Sequence, residues 1–508
     1  MFIMMSESEV HVSDINSEFY GVTTQELMEN AGRGVFQFIV KNLKPKEKNI
    51  ILFCGKGNNG GDGFVAARYL SKKYKVTVFL MGKSKDIHTK IAKNNYEKLK
   101  DLPIEIFDID NLDKTNELIQ KNSVILDSML GVGIKGELRE PFKSIVKKIN
   151  KSKNKTIVSV DIPTGLGTKL SVKSEYTITF HDIKDNMNKK NSGTIKIVDI
   201  KIPKKAVQYV GPGELVTFYP KPDKESHKGE NGKVLVIGGG PFIGAPALSG
   251  FSALRTGADL VYILTPKIPA KAITSFSPKL ISPRRLSEDI AKLSPNLIVR
   301  ELNNDRKITP ADLEIIKDFF DKTDCLIIGP GLGTDNLTKE AVKKIIKDFK
   351  KNNKPMVIDA DAIEAVGEDR DLIKNTKTVI TPHAGEFKKL TKVSLSKNID
   401  ERKKNVKKWA KKLGVTIILK GSVDIISDGE QIKLNDVHNQ AMTVGGTGDV
   451  LTGIVGCLLS KKVSPYNSAR VSVFINGCAG NYAFEKKSYG LIATDIIEEI
   501  PNVLKKYL

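Results

Sequence analysis

The chain has 508 residues, too many for one ordinary hydrophobic core, and its length predicts two or three domains. Hydrophobic residues make up 40% of the sequence and charged residues 28%, which excludes an intrinsically disordered chain. The formal net charge is +22, but the basic residues are mostly lysines scattered in pairs, so we expect no specific nucleic-acid partner.

The sequence also favours a protein of the cytoplasm. No apolar run reaches the roughly 18–20 residues of a membrane helix, so no membrane partner is expected. The first residues, MFIMMSESEV, lack the basic and long apolar parts of a secretory signal. The four cysteines have apolar neighbours and no CxxC spacing, which favours buried reduced thiols.

Short apolar runs alternate with amphipathic stretches in two series. This alternation is typical of βαβ units, which build a parallel sheet covered by helices. The first series comprises residues 49–53, 75–80, 124–127 and 156–161. The second comprises residues 233–237, 260–264, 325–328, 356–359, 378–381 and 416–420. The pattern predicts an α/β fold in both halves of the chain.

The first glycine-rich segment follows the first predicted strand and reads FCGKGNNGGDGFV (53–65). Its glycines are expected to adopt positive φ and to let the backbone approach a ligand. A helix is predicted to begin at Asp62 and Gly63, where free amides favour a phosphate. The segment is neither a GxGxxG fingerprint nor a Walker A loop, and a plain glycine turn also fits its spacing.

Two later strands of the first series end in an aspartate before a glycine-containing loop. Asp127 precedes SMLGVGIKGELREP, and Asp161 precedes IPTGLG. Because the carboxyl ends of parallel strands meet at one edge of the sheet, both carboxylates are expected to face one pocket. A lone aspartate at a strand end is often a helix cap. Three polar, glycine-rich strand ends together indicate a site.

Four segments of this half resemble the epimerase domain of NAD(P)H-hydrate repair enzymes. They are LMENAG (27–32), GNNGGDG (57–63), the Asp127 segment and SVDIPTG (159–165). The resemblance covers about residues 10–215 and preserves the order of the motifs. It implies an enzyme that interconverts the R and S epimers of hydrated NADH and NADPH, abbreviated NADHX and NADPHX.

The resemblance implies the residues of that site. Potassium would be held by Asn59, Asp127 and Thr164, because hard oxygen ligands suit a group I cation. Asp161 would be the acid or base of the inversion, since a carboxylate in a partly desolvated cleft can have a raised pKa. The substrate would contact Asn58, Asn59, Gly60, Gly61, Asp62, Gly131, Val132, Gly133, Ile134, Lys135, Gly136, Glu137 and Asp161.

A segment rich in glycine, proline and charge, residues 211–232, separates the two series and is the predicted linker. The sequence therefore predicts two three-layer α/β/α domains. Residues 1–218 are expected to form a Rossmann-like domain and residues 219–508 a second domain of this α/β/α class.

The second glycine-rich segment, AMTVGGTGDVL (441–451), leads into an apolar helical stretch. The amides of Gly446, Thr447 and Gly448 are expected to point at an anion, and the helix dipole adds to this. Asp449 lies where a general base for a hydroxyl acceptor belongs. A structural role alone is the alternative. The GTGD arrangement resembles ribokinase-like phosphotransferases, and the resemblance implies a ribokinase-like domain over residues 219–508.

Six further segments of this half, taken in order, look like the dehydratase domain of the same repair enzymes. They are ESHKGENGKVLVIGGG (from 225), GAPALSGFSALRTGADLV (from 244), IIGPGLGTD (from 327), VIDADAI (from 357), TPHAGEF (from 381) and ILKGSVD (from 418). The resemblance covers residues 225–508 and implies a lyase that dehydrates the S hydrate at the expense of a nucleotide.

The resemblance again implies site residues. The nucleotide would contact Lys420, Gly421, Ser422, Val423 and Asp424, with Gly448 next to its phosphate. The hydrated cofactor would contact Ala245, Gly331 and His383, with the catalytic Asp449 at its hydroxyl. Glu386 is a candidate to position Mg²⁺ through water. The order of the two domains favours ADP over ATP.

Two other functions remain open at this point. A hydroxymethylpyrimidine or pyridoxal kinase shares GTGD and the fold, although the HKG, GPGLG and TPHAGE segments and the fused first domain count against it. The first domain alternatively serves as a binding module without catalysis. A homo-oligomer is expected because parallel α/β domains of this kind often associate.

Overall fold

The computed structural model describes residues 6–45, 49–133, 136–274 and 296–508. The chain forms two compact units, Met1–Val207 and Gln208–Leu508. Each unit contains one largely parallel sheet with helices on both faces, which confirms the α/β fold. Within the described residues, no helix combines the length and apolar character needed to cross a membrane.

The first unit is built on a parallel sheet of seven strands, in the order β3-β2-β1-β4-β5-β6-β7. The strands are β1 (Asn49–Cys54), β2 (Lys75–Leu80), β3 (Ile104–Phe107), β4 (Val124–Ser128), β5 (Thr156–Val160), β6 (Tyr176–Phe180) and β7 (Thr194–Val198). The strand order reverses between β1 and β4, and in open α/β sheets ligands bind beyond the strand ends at such a point.

Successive side chains along each strand enter two separate cores. Leu52 and Leu126 belong to one apolar cluster, whereas their neighbours Phe53 and Ile125 belong to the other. Because side chains alternate along a strand, a sheet buried on both faces needs apolar residues at consecutive positions. This requirement explains the continuous apolar runs of the sequence.

Helices cover both faces of the first sheet. The helices of this unit are Glu7–Phe19, Thr24–Phe38, Asn58–Leu70, Lys90–Glu97, Thr115–Lys121, Phe142–Lys151, Lys189–Ser192 and Lys204–Gln208. A π-helical turn, Ile39–Leu43, extends the second of them.

The second unit is built on a sheet of nine strands, in the order β10-β9-β8-β11-β12-β13-β14-β15-β16. The strands are β8 (Lys233–Ile237), β9 (Leu260–Thr265), β10 (Ile298–Glu301), β11 (Cys325–Ile328), β12 (Met356–Ile358), β13 (Thr378–Ile380), β14 (Thr416–Leu419), β15 (Asp424–Ser427) and β16 (Ile432–Asn435). Only the pairings β14–β15 and β15–β16 are antiparallel among the described strands. Here the strand order reverses between β8 and β11.

Two apolar clusters again cover opposite faces of this sheet. The helices of the second unit are Pro212–Phe218, Ala245–Arg255, Lys267–Thr274, Leu313–Lys317, Asn336–Lys350, Asp361–Glu368, Ala384–Thr391, Ile399–Leu413, Thr447–Ser460, Pro465–Lys487 and Ala493–Tyr507. The four cysteines are buried free thiols, as the sequence predicts.

The boundary between the units lies before the predicted position at 218/219. The segment after Val207 belongs to the second unit: the Val210 amide donates to the Leu434 carbonyl at 2.8 Å. The helix Pro212–Phe218 packs on the helix Pro465–Lys487, and Leu215 is wholly buried in the second unit's core. Its glycines and prolines made this segment resemble a linker, but glycine and proline also suit the start of a short helix.

The first glycine-rich segment differs from its prediction in two respects. The helix begins at Asn58 rather than at Asp62, after Gly57 in an extended conformation. Its glycines have ordinary negative or extended φ values and instead permit close packing. A Cβ on Gly60 would lie 2.0 Å from the Gly55 carbonyl oxygen, and one on Gly63 would lie 2.7 Å from the Ser128 hydroxyl.

Candidate active sites

In the first unit, Asp127 lies at the end of β4 and is wholly buried. Its carboxylate accepts hydrogen bonds from the Thr164 hydroxyl (2.6 Å) and amide (2.8 Å), the Ser159 hydroxyl (2.9 Å) and the Met129 amide (3.3 Å). Desolvation by burial raises the pKa of Asp127, although these hydrogen bonds favour the charged form. The contacts join the ends of β4 and β5. The expectation that Asp127 and Asp161 face one pocket is wrong, because Asp127 is wholly buried among these partners and is not among the residues that line the cavity beside Asp161.

Asn59 meets the loop that follows Asp127. The Ser128 hydroxyl donates to the Asn59 carbonyl oxygen at 2.5 Å, and a Cβ on Gly131 would lie 3.4 Å from the Asn59 Cβ. The same loop reaches Thr164, whose hydroxyl accepts from the Leu130 amide at 3.0 Å. Both polar atoms of the Asn59 amide are buried without a hydrogen-bond partner among the described residues. A buried amide of this kind is a position where a ligand or ion is expected.

Asp161 follows β5 with φ +65°, a left-handed conformation that a non-glycine residue adopts rarely. Its carboxylate forms an ion pair with Lys184 at 2.6 Å, in which both side chains are largely buried. Lys184 also donates to the Thr179 hydroxyl at 3.0 Å and to the Phe180 carbonyl at 2.7 Å. The side chain that sequence reasoning selected as acid or base is therefore held beside a cation.

A cavity of about 330 Å³ lies next to this ion pair. Its polar lining includes Asn58, Asp62 and Asp161, which the sequence placed at the substrate, together with Asp14, His181 and Lys184. Leu27, Met28, Ala31, Ile91, Phe180, Ile200 and Ile202 supply an apolar wall. A cavity with one apolar wall and a few convergent polar groups suits a ring-containing small molecule.

Two carboxyl groups of this cavity titrate unusually. Burial, together with the nearby charge of Asp161, raises the pKa of Asp14 to about 7, and Lys184 opposes the shift. Burial also raises the pKa of Asp62 well above its ordinary value, with Asp161 and Asp14 adding to the effect. Carboxyl groups that share one desolvated space oppose each other's ionisation, which is the physical cause of both shifts.

The other predicted substrate residues of the first unit have different surroundings. Gly131, Val132 and Gly133 line a second cavity of about 250 Å³, together with Lys184 and Glu7. Gly60 and Gly61 are buried against protein atoms and are not among the residues that line either cavity. Gly136 and Glu137 are exposed, and Ile134 and Lys135 lie outside the described residues.

In the second unit, the predicted anion site is the start of the helix Thr447–Ser460. Gly446 precedes it with φ +92°, and a Cβ there would lie 2.6 Å from the Leu248 side chain, so only glycine fits. The Ser249 hydroxyl donates to the Asp449 carbonyl at 3.0 Å. Asp449 therefore occupies the first turn of a helix that is anchored to its neighbour.

A buried ion pair lies beside this helix start. Lys420, after β14, contacts the Asp359 carboxylate at 3.0 Å, and a Cβ on Gly448 would lie 3.3 Å from the Lys420 Nζ atom. Asp359, after β12, also accepts from the Thr381 hydroxyl at 2.6 Å and the Thr452 hydroxyl at 2.7 Å. Burial alone would raise the pKa of Asp359, but Lys420 and these hydrogen bonds lower it below its ordinary value.

Asp449 has a different protonation equilibrium. Burial raises its pKa to about 7, the nearby charge of Asp359 adds to the shift, and Lys420 opposes it. Asp361 and Glu386 contribute in the same direction as Asp359. A carboxyl group with a pKa near the working pH is suited to general base catalysis.

A cavity of about 710 Å³ opens on one side of the helix start. Five predicted nucleotide residues line it, namely Lys420, Gly421, Ser422, Asp424 and Gly448. His383 lines it as well, whereas Val423 packs against the hydrophobic core. Other polar groups of the lining are Asn435, Asp436, His438, Asn439, Gln440, Thr443 and Asn476.

His383 has a structural role in addition to its position in the cavity. Its Nδ1 atom accepts from the Gly385 amide at 2.9 Å, which caps the helix Ala384–Thr391. The Glu386 carboxylate accepts from the His383 amide at 2.8 Å and completes this cap. Glu386 also approaches Lys420 at 3.8 Å, so the predicted magnesium residue faces the ion pair.

The predicted hydrate residues Ala245 and Gly331 meet where the strand order reverses between β8 and β11. Gly331 has φ +70°, and a Cβ there would lie 3.2 Å from the Ala245 Cβ. The same loop is tied to Asp361, whose carboxylate accepts from the Gly333 amide at 2.7 Å. Because the charge of Asp361 acts on Asp449, this loop and the catalytic candidate share one electrostatic environment.

Family models match both units of the chain. The model described as NAD(P)H-hydrate dehydratase matches residues 234–502, more than half of the chain. The model described as YjeF-related protein N-terminus matches residues 24–185. The chain belongs to the NAD(P)H-hydrate repair enzyme family. Both resemblances that the sequence motifs indicated are thereby confirmed.

Relatives in this repair enzyme family match nearly the whole chain. Proteins named bifunctional NAD(P)H-hydrate repair enzyme Nnr are 37% identical in Archaeoglobus fulgidus and 38% identical in Methanocaldococcus jannaschii. The first match covers 98% of both chains, and the second covers 99% of this chain and 94% of that one. A solved ADP/ATP-dependent NAD(P)H-hydrate dehydratase from Bacillus subtilis, co-crystallised with ATP and Mg²⁺, is 23% identical, with a TM-score of 0.46 over 59% of this chain and 99% of that chain.

Sequence reasoning missed several charged residues of the two sites. Asp359 ends a strand as Asp127 does, so the same rule would have selected it. Lys184 follows β6, which was not among the predicted strands. Asp14 lies within the helix Glu7–Phe19, where no local motif distinguishes it from other surface carboxylates.

Proposed function

We propose that this chain repairs hydrated nicotinamide cofactors. The first unit would interconvert the R and S epimers of NADHX and NADPHX, and the second would dehydrate the S epimer with conversion of ADP to AMP and phosphate. The observation that carries the proposal is Asp449, a carboxyl with a pKa of about 7 in the first turn of a glycine-led helix, beside Lys420 and a cavity of about 710 Å³.

The residues of the second unit account for a dehydration that begins with phosphoryl transfer. Asp449 would take the proton of the substrate hydroxyl, whose oxygen then bonds to the terminal phosphorus while AMP departs. The C–O bond next breaks, phosphate leaves, and loss of a proton from the adjacent carbon forms the ring double bond. Lys420 and the amides at Gly448 would stabilise the charge on the transferred group.

Magnesium would neutralise charge on the nucleotide phosphates. Within the described residues, His, Cys, Asp and Glu side chains form no cluster of three that could hold a metal by itself. Mg²⁺ commonly binds through substrate phosphates with one or two carboxylates and water, so the arrangement around Glu386 fits that mode. Glu386 would act through water, since one carboxylate oxygen already caps a helix.

In the first unit, we assign a cation site, a base and a cavity for the ring to the epimerase reaction. Asn59, Asp127 and Thr164 would hold potassium, and the unpartnered buried amide of Asn59 supports this assignment. Asp161 would accept the hydroxyl proton of the hydrate in the 330 Å³ cavity. The apolar wall of that cavity suits the nicotinamide ring.

Incubation of the intact chain with a mixture of R and S hydrates tests the proposal. With ADP present, absorbance of the reduced nicotinamide should recover completely, AMP and free phosphate should appear, and both epimers should disappear. Without nucleotide, pure R hydrate should equilibrate with S faster than it does spontaneously. A stable phosphorylated product would instead support a vitamin kinase, and unchanged epimer ratios would leave the first unit as a binding module.

A further inference from the structure

The helix Glu7–Phe19 carries a carboxyl group toward the cavity of the first unit. Asp14 lines that cavity and forms no hydrogen bond or ion pair with a described residue. The helix itself is anchored: Val12, Ser13 and Ser17 are buried, and the Asn16 amide donates to the Ala206 carbonyl at 3.4 Å. An anchored helix therefore presents an unpartnered carboxyl to the proposed substrate.

The chemistry of epimerisation requires two proton-transfer groups. In a hydrated nicotinamide ring, the carbon that bears the hydroxyl is also bonded to the ring nitrogen. When a base removes the hydroxyl proton, a C=O bond forms, the C–N bond breaks, and the nitrogen takes a proton from an acid. Rotation of the aldehyde, reclosure of the C–N bond and return of both protons invert the centre without net proton change.

Asp161 can supply only one of these groups. Its carboxylate forms an ion pair with Lys184 at 2.6 Å, and this arrangement suits the role of base. The acid must be a different residue that carries a proton near neutral pH. Asp14 and Asp62 are both unpaired carboxyl groups of the cavity, and burial raises the pKa of each. The pKa of Asp14 is raised to about 7, so this group can give up and recover a proton near neutral pH.

We propose that Asp14 is the second acid–base residue of the first unit, donating a proton to the ring nitrogen while Asp161 accepts the hydroxyl proton. The inference rests on the proposed epimerase function. Other charged or titratable groups face the same cavity. They are His11 and Glu18 on the helix of Asp14, Asp62 on the helix Asn58–Leu70, Asp161 after β5, and His181 and Lys184 after β6.

An epimerisation assay tests the role of Asp14. Pure R hydrate is incubated with the full chain in the absence of nucleotide, and chiral chromatography measures the S hydrate that forms. Asp14→Asn in the full chain should lower the epimerisation kcat by about 100-fold, because an amide cannot donate the proton. KM should change by no more than a few-fold. Asp14→Glu should restore part of the rate, and Asp101→Asn, which changes an exposed carboxylate in a turn, should leave it unchanged.

The dependence on pH separates catalysis from a structural role. The wild-type rate should fall as pH rises through about 7, because the acid form of Asp14 is lost. This decline should be absent in Asp14→Asn. Since the pKa of Asp14 is raised in the folded chain, its charged form opposes folding at pH 8, and the asparagine variant should unfold at the same or a higher temperature.

Three results would overturn the inference. One is an Asp14→Asn variant with more than half of the wild-type rate, and another is a variant that keeps the wild-type decline above pH 7. The third is a lowered unfolding temperature that accounts for the lost activity, with no rescue by Asp14→Glu. A wild-type chain that does not accelerate epimerisation would contradict the proposed function itself, and the inference would fall with it.

Discussion

The two units place a lysine and carboxylates in similar roles but in different surroundings. In the first, Lys184 pairs with Asp161, and the pKa of Asp14 is about 7. In the second, Lys420 pairs with Asp359, and the pKa of Asp449 is about 7. One buried cation can keep one nearby carboxylate charged, and the second carboxyl then titrates close to neutrality.

The cavities beside these groups differ mainly in size. The cavity of the first unit has a volume of about 330 Å³ and that of the second about 710 Å³, and both combine polar groups with an apolar lining. The second unit also places its titrating carboxyl at a helix start, where amides favour a phosphate. The larger cavity and the helix start agree with the proposal that the second unit binds a nucleotide, and the smaller cavity agrees with the proposal that the first unit binds a nicotinamide ring.

The largest effect is expected on the dehydration rate when the titrating carboxyl group of the second unit is removed. Asp449→Asn should lower dehydration by about 100- to 10,000-fold while nucleotide still binds, because a general base is lost. The wild-type rate should decline below about pH 7, where Asp449 becomes protonated. Recovery of reduced-cofactor absorbance measures both effects, with Asp428→Asn, a turn residue after β15, as the control. Retention of more than half of the rate would remove Asp449 from the mechanism.

The next effect concerns where the second unit begins. A fragment of residues 208–508 should fold, whereas 219–508 should be less stable, because it lacks buried Leu215 and leaves Lys433 without Glu214, 3.3 Å away. Removing one partner of a buried pair typically costs about 3–5 kcal/mol. Trp409, the single tryptophan, reports unfolding of this unit by fluorescence in urea. Equal midpoints for the two fragments would restore the boundary at 218/219.

A smaller effect tests the shared ion-pair arrangement. Lys420→Met should reduce the free energy of unfolding by about 3 kcal/mol, since Asp359 would remain buried without its cation. Lys184→Met should act similarly on the first unit through Asp161. Trp409 fluorescence monitors the first variant and calorimetry the second, with Lys404→Met on an exposed helix position as control. Unchanged stability in either variant would break the parallel between the units.

The smallest effect is expected when the proposed potassium site of the first unit is altered, because the second unit lacks that site among its described residues. Asp127→Asn should lower potassium-dependent epimerisation about tenfold and leave dehydration unchanged, because only the first unit has the Asn59, Asp127 and Thr164 arrangement. The epimerisation rates of the wild-type chain and of Asp127→Asn are measured in a potassium buffer and in a buffer whose only cation is a large organic one. Equal wild-type rates in both buffers would exclude potassium as the cofactor of the first unit.

The predicted strands coincide with observed strands because a sheet buried on both faces demands continuous apolar runs. Six strands were not predicted, namely β3, β6, β7, β10, β15 and β16. β7 and β10 lie at sheet edges and have no fully buried position, so their sequences lack a continuous apolar run. β16 follows a turn within the antiparallel extension of the second sheet. Their pairing depends on neighbours that local sequence does not reveal.

The sequence by itself determined the α/β class, the presence of a helix in or after each of the two glycine-rich segments, and the aspartates at strand ends, because each of these features depends on consecutive residues. Only the tertiary structure decided which lysine neutralises which carboxylate and that Asp14 shares a cavity with Asp161. It also assigned residues 208–218 to the second unit. These outcomes depend on contacts between segments that are distant in the sequence and on the desolvation that those contacts cause. Neither the contacts nor the desolvation can be read from a local sequence pattern.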